Sequence, residues 1–176
     1  MCLIALAQAG FKVKGVDRIK YLLDKVRAKA SVAKVKIEWV QTDMREFVHP
    51  EAFNLVLSMF TSFGYFDNKQ EDLEVLGNIL KNLTPGGICL MDVMGKERLA
   101  MILQSTTYDI LPDETKLIQR HDIFDDWTRV RNEWILIRKG RAKSFKFCHT
   151  IYGKKPECPV LCTEMNGHRG LGVEPP

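Results

Sequence analysis

The chain has 176 residues, 45% hydrophobic and 27% charged, which is enough for one soluble globular domain with a stable core. No apolar run nears the roughly 20 uncharged residues of a membrane helix. Met1 to Gly10 is too short, and lacks the basic flank, for a secretion signal, so a cytoplasmic setting is expected. Five scattered cysteines do not form the even, dense framework of a small secreted domain and read as reduced thiols, and a net charge of +4 neither demands nor excludes a nucleic-acid partner.

Met1 to Ala9 is apolar and alanine-rich and stops at Gly10, a helix-ending residue, so it reads as the tail of a helix. Phe11 to Val16 reads as a short strand ending at Asp17, followed by a helix from Arg18 to Ala30 with leucine, valine and alanine at helical spacing. Val35 to Val40, carrying Trp39, predicts a second strand that ends at Thr42 and Asp43. Phe47 to Glu51 then connects it to Phe53–Met59, whose nearly continuous apolar run predicts a strand buried on both faces. Asp67 to Leu83 predicts a helix with Leu73, Leu76, Ile79, Leu80 and Leu83 on its apolar stripe. Thr84-Pro85-Gly86-Gly87 ends it, and Ile88 to Val93 reads as a fourth strand. Strands alternating with helices predict a parallel, doubly wound sheet.

Past Met94 the pattern changes. A helix near Lys96 to Gln104 precedes three β-rich runs, Thr115 to Phe124, Thr128 to Ile137 and Ala142 to Tyr152, with breaks at Asp125-Asp126 and Lys139-Gly140 that signal hairpins. An antiparallel meander beside the parallel sheet is expected. The basic group Arg138, Lys139, Arg141, Lys143 and Lys146 reads as a solvated hairpin face. From Gly153 to Pro176, four prolines and four glycines without periodicity predict an irregular tail. The expected organisation is therefore one domain over 1–152, with an α/β part at 1–94 and antiparallel strands at 115–152, and a tail at 153–176.

Ligands of open α/β sheets sit beyond the carboxyl ends of the strands, where connecting loops diverge. Asp17, ending the first strand, can accept hydrogen bonds from both hydroxyls of an adenosine ribose, or can cap the helix that begins at Arg18. Asp43 can take a hydrogen bond from an adenine amine with Met44 against the ring, or can pair with Arg45 at the surface. Between Ser58 and Phe66, aromatics and hydroxyls cluster in a loop, where their π faces can wall a cationic sulfonium and its substrate.

Together, GVD at 15–17, TDM at 42–44, FNLVLSMFTSFGYF at 53–66 and LKNLTPGGICLMDV at 80–93 resemble the successive motifs of class I S-adenosylmethionine-dependent methyltransferases. The resemblance covers roughly Met1 to Val93. The run from Lys116 to Tyr152 is similar to antiparallel strands that some small members insert on the substrate side. It implies a Rossmann-like, mostly parallel sheet with an added antiparallel β-meander. It also implies that S-adenosylmethionine is held by Asp17 and Arg18 at the ribose, Asp43 and Met44 at the adenine, and Ser58, Met59 and Phe60 near the methionine part and the transferred methyl. Phe63, Tyr65 and His121 are the implied substrate contacts. Methyl transfer is direct displacement that chiefly needs alignment of the reactants, so no single catalytic residue is obligatory. Tyr65, Asp67 and His121 are candidates to contact or deprotonate an acceptor, expected to be a small molecule.

The glycine-rich loop of such a unit lies roughly 20 residues before the ribose acid, a count that passes Met1. The sheet is thus expected to lack its first strand, which in this fold lies between the strands ending at Asp17 and near Ser58. Three outcomes are expected for the gap: direct closure, self-association or a partner strand filling it, or a poorly folded chain. Three other readings remain. A nicotinamide enzyme would use Asp17 but leaves TDM and LTPGG unexplained, and a zinc site from Cys148, His149, Cys158, Cys162 and His168 lacks a paired second knuckle. The third is a non-catalytic, methyltransferase-like remnant.

Overall fold

A computed structural model describes residues 2–153. The element order is α1 (Cys2–Gln8), β1 (Val13–Asp17), α2 (Lys20–Val32), β2 (Ile37–Gln41), β3 (Phe53–Ser58), α3 (Lys69–Asn82), β4 (Leu83–Met91), α4 (Lys96–Ile102), β5 (Thr106–Ile110), β6 (Lys116–Phe124), β7 (Arg129–Arg138) and β8 (Arg141–Thr150). The α/β architecture with parallel strands and an added antiparallel sheet is the one expected. β1 and β2 pair in parallel from Val13–Ile37 to Asp17–Gln41, and β3 and β4 pair in parallel up to Ser58–Met91. The third sheet is an antiparallel meander in the order β5-β6-β7-β8.

The expected gap is present and has not closed. Among the described residues β1 pairs only with β2 and β3 only with β4, leaving two ladders, each with an open edge. Direct closure of the gap is therefore corrected. Lys14 on β1 reaches toward the second ladder, its Nζ lying 5.8 Å from the centre of the Phe53 ring.

Burial follows from this arrangement. In β1, Gly15 is required by close packing, because an added Cβ would lie 2.5 Å from the Trp39 ring and 3.1 Å from Leu3 of α1. The strand β3, expected to be buried on both faces, has no fully buried residue and is only partly covered on one face. Leu55 pairs with Ile88 and Leu57 with Leu90, and Leu55, Ile88 and Leu90 are 44, 61 and 52% exposed. The covered side lies against α3, where Phe63, Val75 and Leu76 form a core cluster with Phe66, Leu73, Ile79, Met91 and Tyr152 packed around it.

Helix α3 begins in a reciprocal cap: the Asn68 side chain accepts from the Gln70 amide at 2.9 Å and Glu71 reaches back to the Asn68 amide. Its buried stripe is Asp72, Val75, Leu76, Asn78 and Asn82, turned from the one predicted, and Leu80 is 39% exposed. Two asparagines on that stripe clamp the connector between β2 and β3. Asn78 Nδ2 donates to the Arg45 carbonyl at 2.6 Å, and Asn82 Nδ2 donates to the Phe47 carbonyl at 3.0 Å while its Oδ1 accepts from the His49 amide.

Two boundaries differ from the sequence reading. β4 starts at Leu83, directly after α3, so the Thr-Pro-Gly-Gly segment lies within the strand, and the register breaks between Phe53 and Leu55 to accommodate it. Proline is tolerated there because, among the described residues, β4 pairs on one side only. The meander has a fourth strand, β5, which runs only five residues before Leu111-Pro112 and carries little alternation. The residues from Lys154 onward, including the predicted tail, lie outside the described residues.

Replacing Asn82 by alanine leaves the Phe47 carbonyl and His49 amide without their partners. It is expected to cost about 2 kcal/mol of unfolding free energy, measurable as a lower urea midpoint at unchanged slope.

Candidate functional site

The residues singled out by sequence lie largely where β1, β2, β3 and β4 end. Asp17 is the last residue of β1, and its carbonyl accepts from the Thr42 amide at 3.3 Å, tying the ends of β1 and β2. Its Oδ1 accepts from the Ile19 amide at 2.8 Å, which supports the entry to α2, while Oδ2 makes no hydrogen bond among the described residues. Met44 is exposed.

Asp43 is not free in this arrangement. Arg45 donates to Asp43 Oδ1 from Nε and from its amide, each at 3.0 Å, and to Oδ2 from Nη2 at 2.9 Å, and Arg18 Nη1 stands 4.0 Å away. Hydrogen bonds from Arg45 hold the Asp43 carboxyl down at about 2, with its own desolvation opposing. Arg45 also pairs with Glu71 of α3 and covers the Phe66 ring at 4.7 Å. The sequence left Asp43 open between an adenine contact and an Arg45 pair, and the structure shows the pair.

Beyond β3 the chain enters a strained loop, with positive φ at Phe60 (57°), Thr61 (52°) and Gly64 (96°). Asp92, just after β4, holds it. Its Oδ2 accepts from the Phe60 amide at 3.1 Å, its carbonyl accepts from the Thr61 amide at 3.0 Å, and its own amide donates to Ser58 at 2.8 Å. This grip leaves the Phe60 ring 68% exposed at the carboxyl end of the strand. Met59 is half-buried, and its carbonyl accepts from Ser62 Oγ at 2.7 Å.

The same loop binds the meander. The Gly64 carbonyl accepts from the Thr150 amide at 2.6 Å, and a Cβ on Gly64 would stand 2.7 Å from the Thr150 carbonyl oxygen. Tyr65 stacks on His149 with ring centres 4.5 Å apart and planes within 10°, and Phe147 lies 6.1 Å from Tyr65. His149 Nε2 is 3.3 Å from the Phe63 carbonyl. Burial pulls the imidazole below its usual value, the Phe63 carbonyl opposing.

The three expected substrate contacts separate. Tyr65 is 47% exposed on the loop, whereas Phe63 is 2% exposed, so its ring belongs to the core beneath the wall. His121 lies on the same face of the meander two strands from β8, its Nδ1 2.8 Å from Asn132 Oδ1. Asp67 contributes its main-chain carbonyl, which accepts from Arg129 Nη1 at 3.0 Å.

Sequence reasoning missed Asp72 and Asp92, and singled out His149 only as a member of a zinc set. Asp72 is 1% exposed; its Oδ2 accepts from the Tyr152 hydroxyl at 2.7 Å, and its buried Oδ1 meets no hydrogen-bond donor at full bonding geometry among the described residues. Burial pushes the carboxyl above the usual range and the nearby Glu71 charge adds to this, against the Tyr152 hydroxyl, the Gly64 amide and the Arg129 guanidinium. Its helical spacing from Val75, Leu76 and Ile79 is the signal that places it on the buried stripe. Among the described residues no group of three or more histidines, cysteines or acids could hold a metal ion. Of the considered zinc set, Cys148 and His149 are neighbours on one strand and so face opposite ways, while Cys158, Cys162 and His168 lie outside the described residues.

Parallel ladders interleaved with helices, with an antiparallel sheet docked on the loop after β3, define a Rossmann-like α/β unit. Residues 1–87 match the family profile described as a methyltransferase domain. The chain is 30% identical over 125 residues to YqeM of Bacillus subtilis (strain 168), whose name assigns it provisionally to the methyltransferases; the match covers 70% of this chain and 47% of that protein. Among solved structures, it superposes with a TM-score of 0.68 and 16% identity on an S-adenosylmethionine-dependent methyltransferase from Clostridium acetobutylicum ATCC 824, covering 85% of this chain and 61% of that one. On the sugar N-methyltransferase KedS8 from Streptoalloteichus sp ATCC 53650 the TM-score is 0.60 at 18% identity, covering 79% and 56%. The chain belongs to the class I S-adenosylmethionine-dependent methyltransferase family. It spans about half the length of the curated relatives it matches.

The buried acid gives a signed pH prediction. Because the folded-state pKa of Asp72 is raised above 3.8, the folded form holds the extra proton, so its contribution to stability falls as pH rises from 3.8 through the folded pKa. Denaturant titrations at successive pH values are expected to show wild type losing stability relative to Asp72→Asn over that interval, and parallel curves would contradict this.

Proposed function

We propose that the chain serves S-adenosylmethionine-dependent methyl transfer to a small-molecule acceptor. The observation that carries this reading is the set of accessible groups at adjacent strand ends: the unpartnered Asp17 Oδ2 and the exposed Met44 and Phe60. S-adenosylmethionine supplies, when bound, a methyl group on a positively charged sulfur.

These residues fit that group in part. Asp17 offers a free carboxylate oxygen to ribose hydroxyls with Arg18 beside it, and Met44 offers an apolar border for adenine. Asp43 has no free role at the adenine amine while Arg45 fills both its oxygens, so here it anchors the loop that carries Met44. Ser58, Met59 and Phe60 border the methionine side. Phe60 gives an exposed π face suited to a sulfonium, set at that angle by Asp92. The acceptor side is the wall of Tyr65 and His149 with His121 further along, and Phe63 supports it from below. The work of these residues is to align acceptor and methyl and to exclude water.

Titration calorimetry with S-adenosylmethionine tests the reading: micromolar binding is expected, weakened about tenfold or more in Asp17→Ala, which removes a charge-assisted hydrogen bond. Absence of binding would favour the second reading, a non-catalytic remnant with the family's shape, for which the two unjoined ladders speak.

The open edges of β1 and β3 also support an added strand between the ladders, from self-association or a partner, because unpaired edges template further pairing. Sedimentation equilibrium across a hundredfold dilution series, on the order of the range a weak dimer needs, is expected to show species heavier than the 20.2 kDa monomer. A monomer throughout would contradict self-association.

A further inference from the structure

The meander has two unlike faces. On one, the charges pair among themselves: Arg120 and Lys146 flank Glu133 at 3.5 and 3.4 Å, and Arg131 meets Asp122 at 3.1 Å. The other face, set by strand alternation and register, carries Phe145, Phe147 and His149 of β8 opposite Trp134, Asn132 and Val130 of β7.

On that second face the rings follow one another along the sheet as a track. Phe145 pairs in register with Trp134, Trp134 meets Phe147 edge-on at 5.4 Å, and Phe147 lies 6.1 Å from Tyr65, which stacks on His149. Trp134 and Phe145 are 38 and 43% exposed, so the track is open to a ligand. It leads from the strand-end crevice to an open hollow of about 1160 Å³ at the β7–β8 hairpin, whose lining includes Phe145, Arg138, Lys139, Arg141 and Lys143. One acid, Asp113, also lines it and is bound to Arg138 at 3.2 Å. Among the described residues Lys139, Arg141 and Lys143 form no ion pair, and Lys143 Nζ stands 4.9 Å over the Phe145 ring. Unpaired cations around a concavity, beside an exposed aromatic face, suit a ligand that joins an anion to a planar ring.

We propose that this hollow and track form the distal subsite for the acceptor, and that the acceptor bears a phosphate or similar anion held by Lys139, Arg141 and Lys143. Its ring lies on Phe145 and Trp134. The four-residue rise from Phe145 to His149, roughly 13 Å of strand, is the span between the stacked ring and the end to be methylated. The inference rests on the methyltransferase reading for the identity of the ligand as an acceptor, but the binding of an anion-bearing ring does not need it. It also revises the reading of the basic residues as only a solvated hairpin face.

The test uses the full chain with uridine diphosphate as probe, and inorganic pyrophosphate and uridine as its two halves, followed by calorimetry and by amide shifts in nuclear magnetic resonance spectra. Uridine diphosphate is expected to bind more tightly than either half, to shift residues of the 138–147 hairpin, and to weaken about tenfold in the double variant Arg141→Gln/Lys143→Gln. Phe145→Ala is expected to lower affinity for uridine diphosphate while leaving that for pyrophosphate unchanged, which separates lost stacking from lost charge. Circular dichroism spectra matching wild type establish that the exposed-site variants fold. No binding, binding indifferent to both variants, or far tighter binding of a single-stranded oligonucleotide through the same residues would overturn the proposal. Parallel titration with S-adenosylmethionine keeps the two ideas apart: probe binding without S-adenosylmethionine binding removes the methyl-transfer reading and leaves the anion subsite, and the converse removes the subsite alone.

Discussion

The carboxylate of Asp72 is the constraint on which the arrangement of the site depends. It sits on α3 and is 1% exposed, and its hydroxyl partner Tyr152 comes from just beyond the last strand of the meander. A buried acid is costly unless it is hydrogen-bonded or holds its proton, and the raised pKa reflects that cost. The contact therefore fixes three parts at once: the helix covering β3 and β4, the loop after β3 through Gly64, and the end of β8. The isolated bridge between Gly95 and Tyr152 and the bond from the Ile151 amide to the Thr128 carbonyl at 2.7 Å secure the same corner.

From that corner the placement of the proposed acceptor wall follows. Once Tyr152 is tied to α3, Thr150 lies against Gly64 and His149 stacks on Tyr65, so one face of the antiparallel sheet meets the loop after β3. The glycine is needed for this approach, since the Thr150 carbonyl oxygen occupies the space a side chain would take. Arg45 plays the corresponding part on the other side, joining the loop after β2 to Glu71 near the start of the same helix. Helix α3 is thus the post to which both halves of the crevice are fastened.

Much of this was legible in the sequence because hydrophobic period and turn residues are local signals. The order of strands and helices, Asp17 at the end of β1, the loop after Ser58 and the hairpins at Asp125 and Lys139 all follow from residues within a few positions. Among the described residues β1 and β3 do not pair, an arrangement that depends on which segments meet rather than on local pattern. What was not legible depends on contacts between distant segments. Phe63 and Tyr65 are two residues apart in similar sequence, and only the docking of β8 decides that one is core and the other wall. Asp72 is one of three acids in α3, and only its partner, 80 residues away, singles it out. Asp43 had two chemically sound roles, and Arg45 and Glu71 together selected one.

The central claim is that this corner assembles a methyltransferase crevice at the ends of β1, β2 and β3, walled by the meander. Amide hydrogen exchange of the full chain with and without S-adenosylhomocysteine, the demethylated product, tests it most directly, because protection reports both where a ligand sits and what it orders. Slower exchange is predicted at Arg18–Ile19, Met44–Arg45 and the loop from Met59 to Phe66, with β5 and the outer part of β6 unchanged. Unchanged exchange at all three strand ends in saturating ligand, or protection confined to the meander, would contradict it.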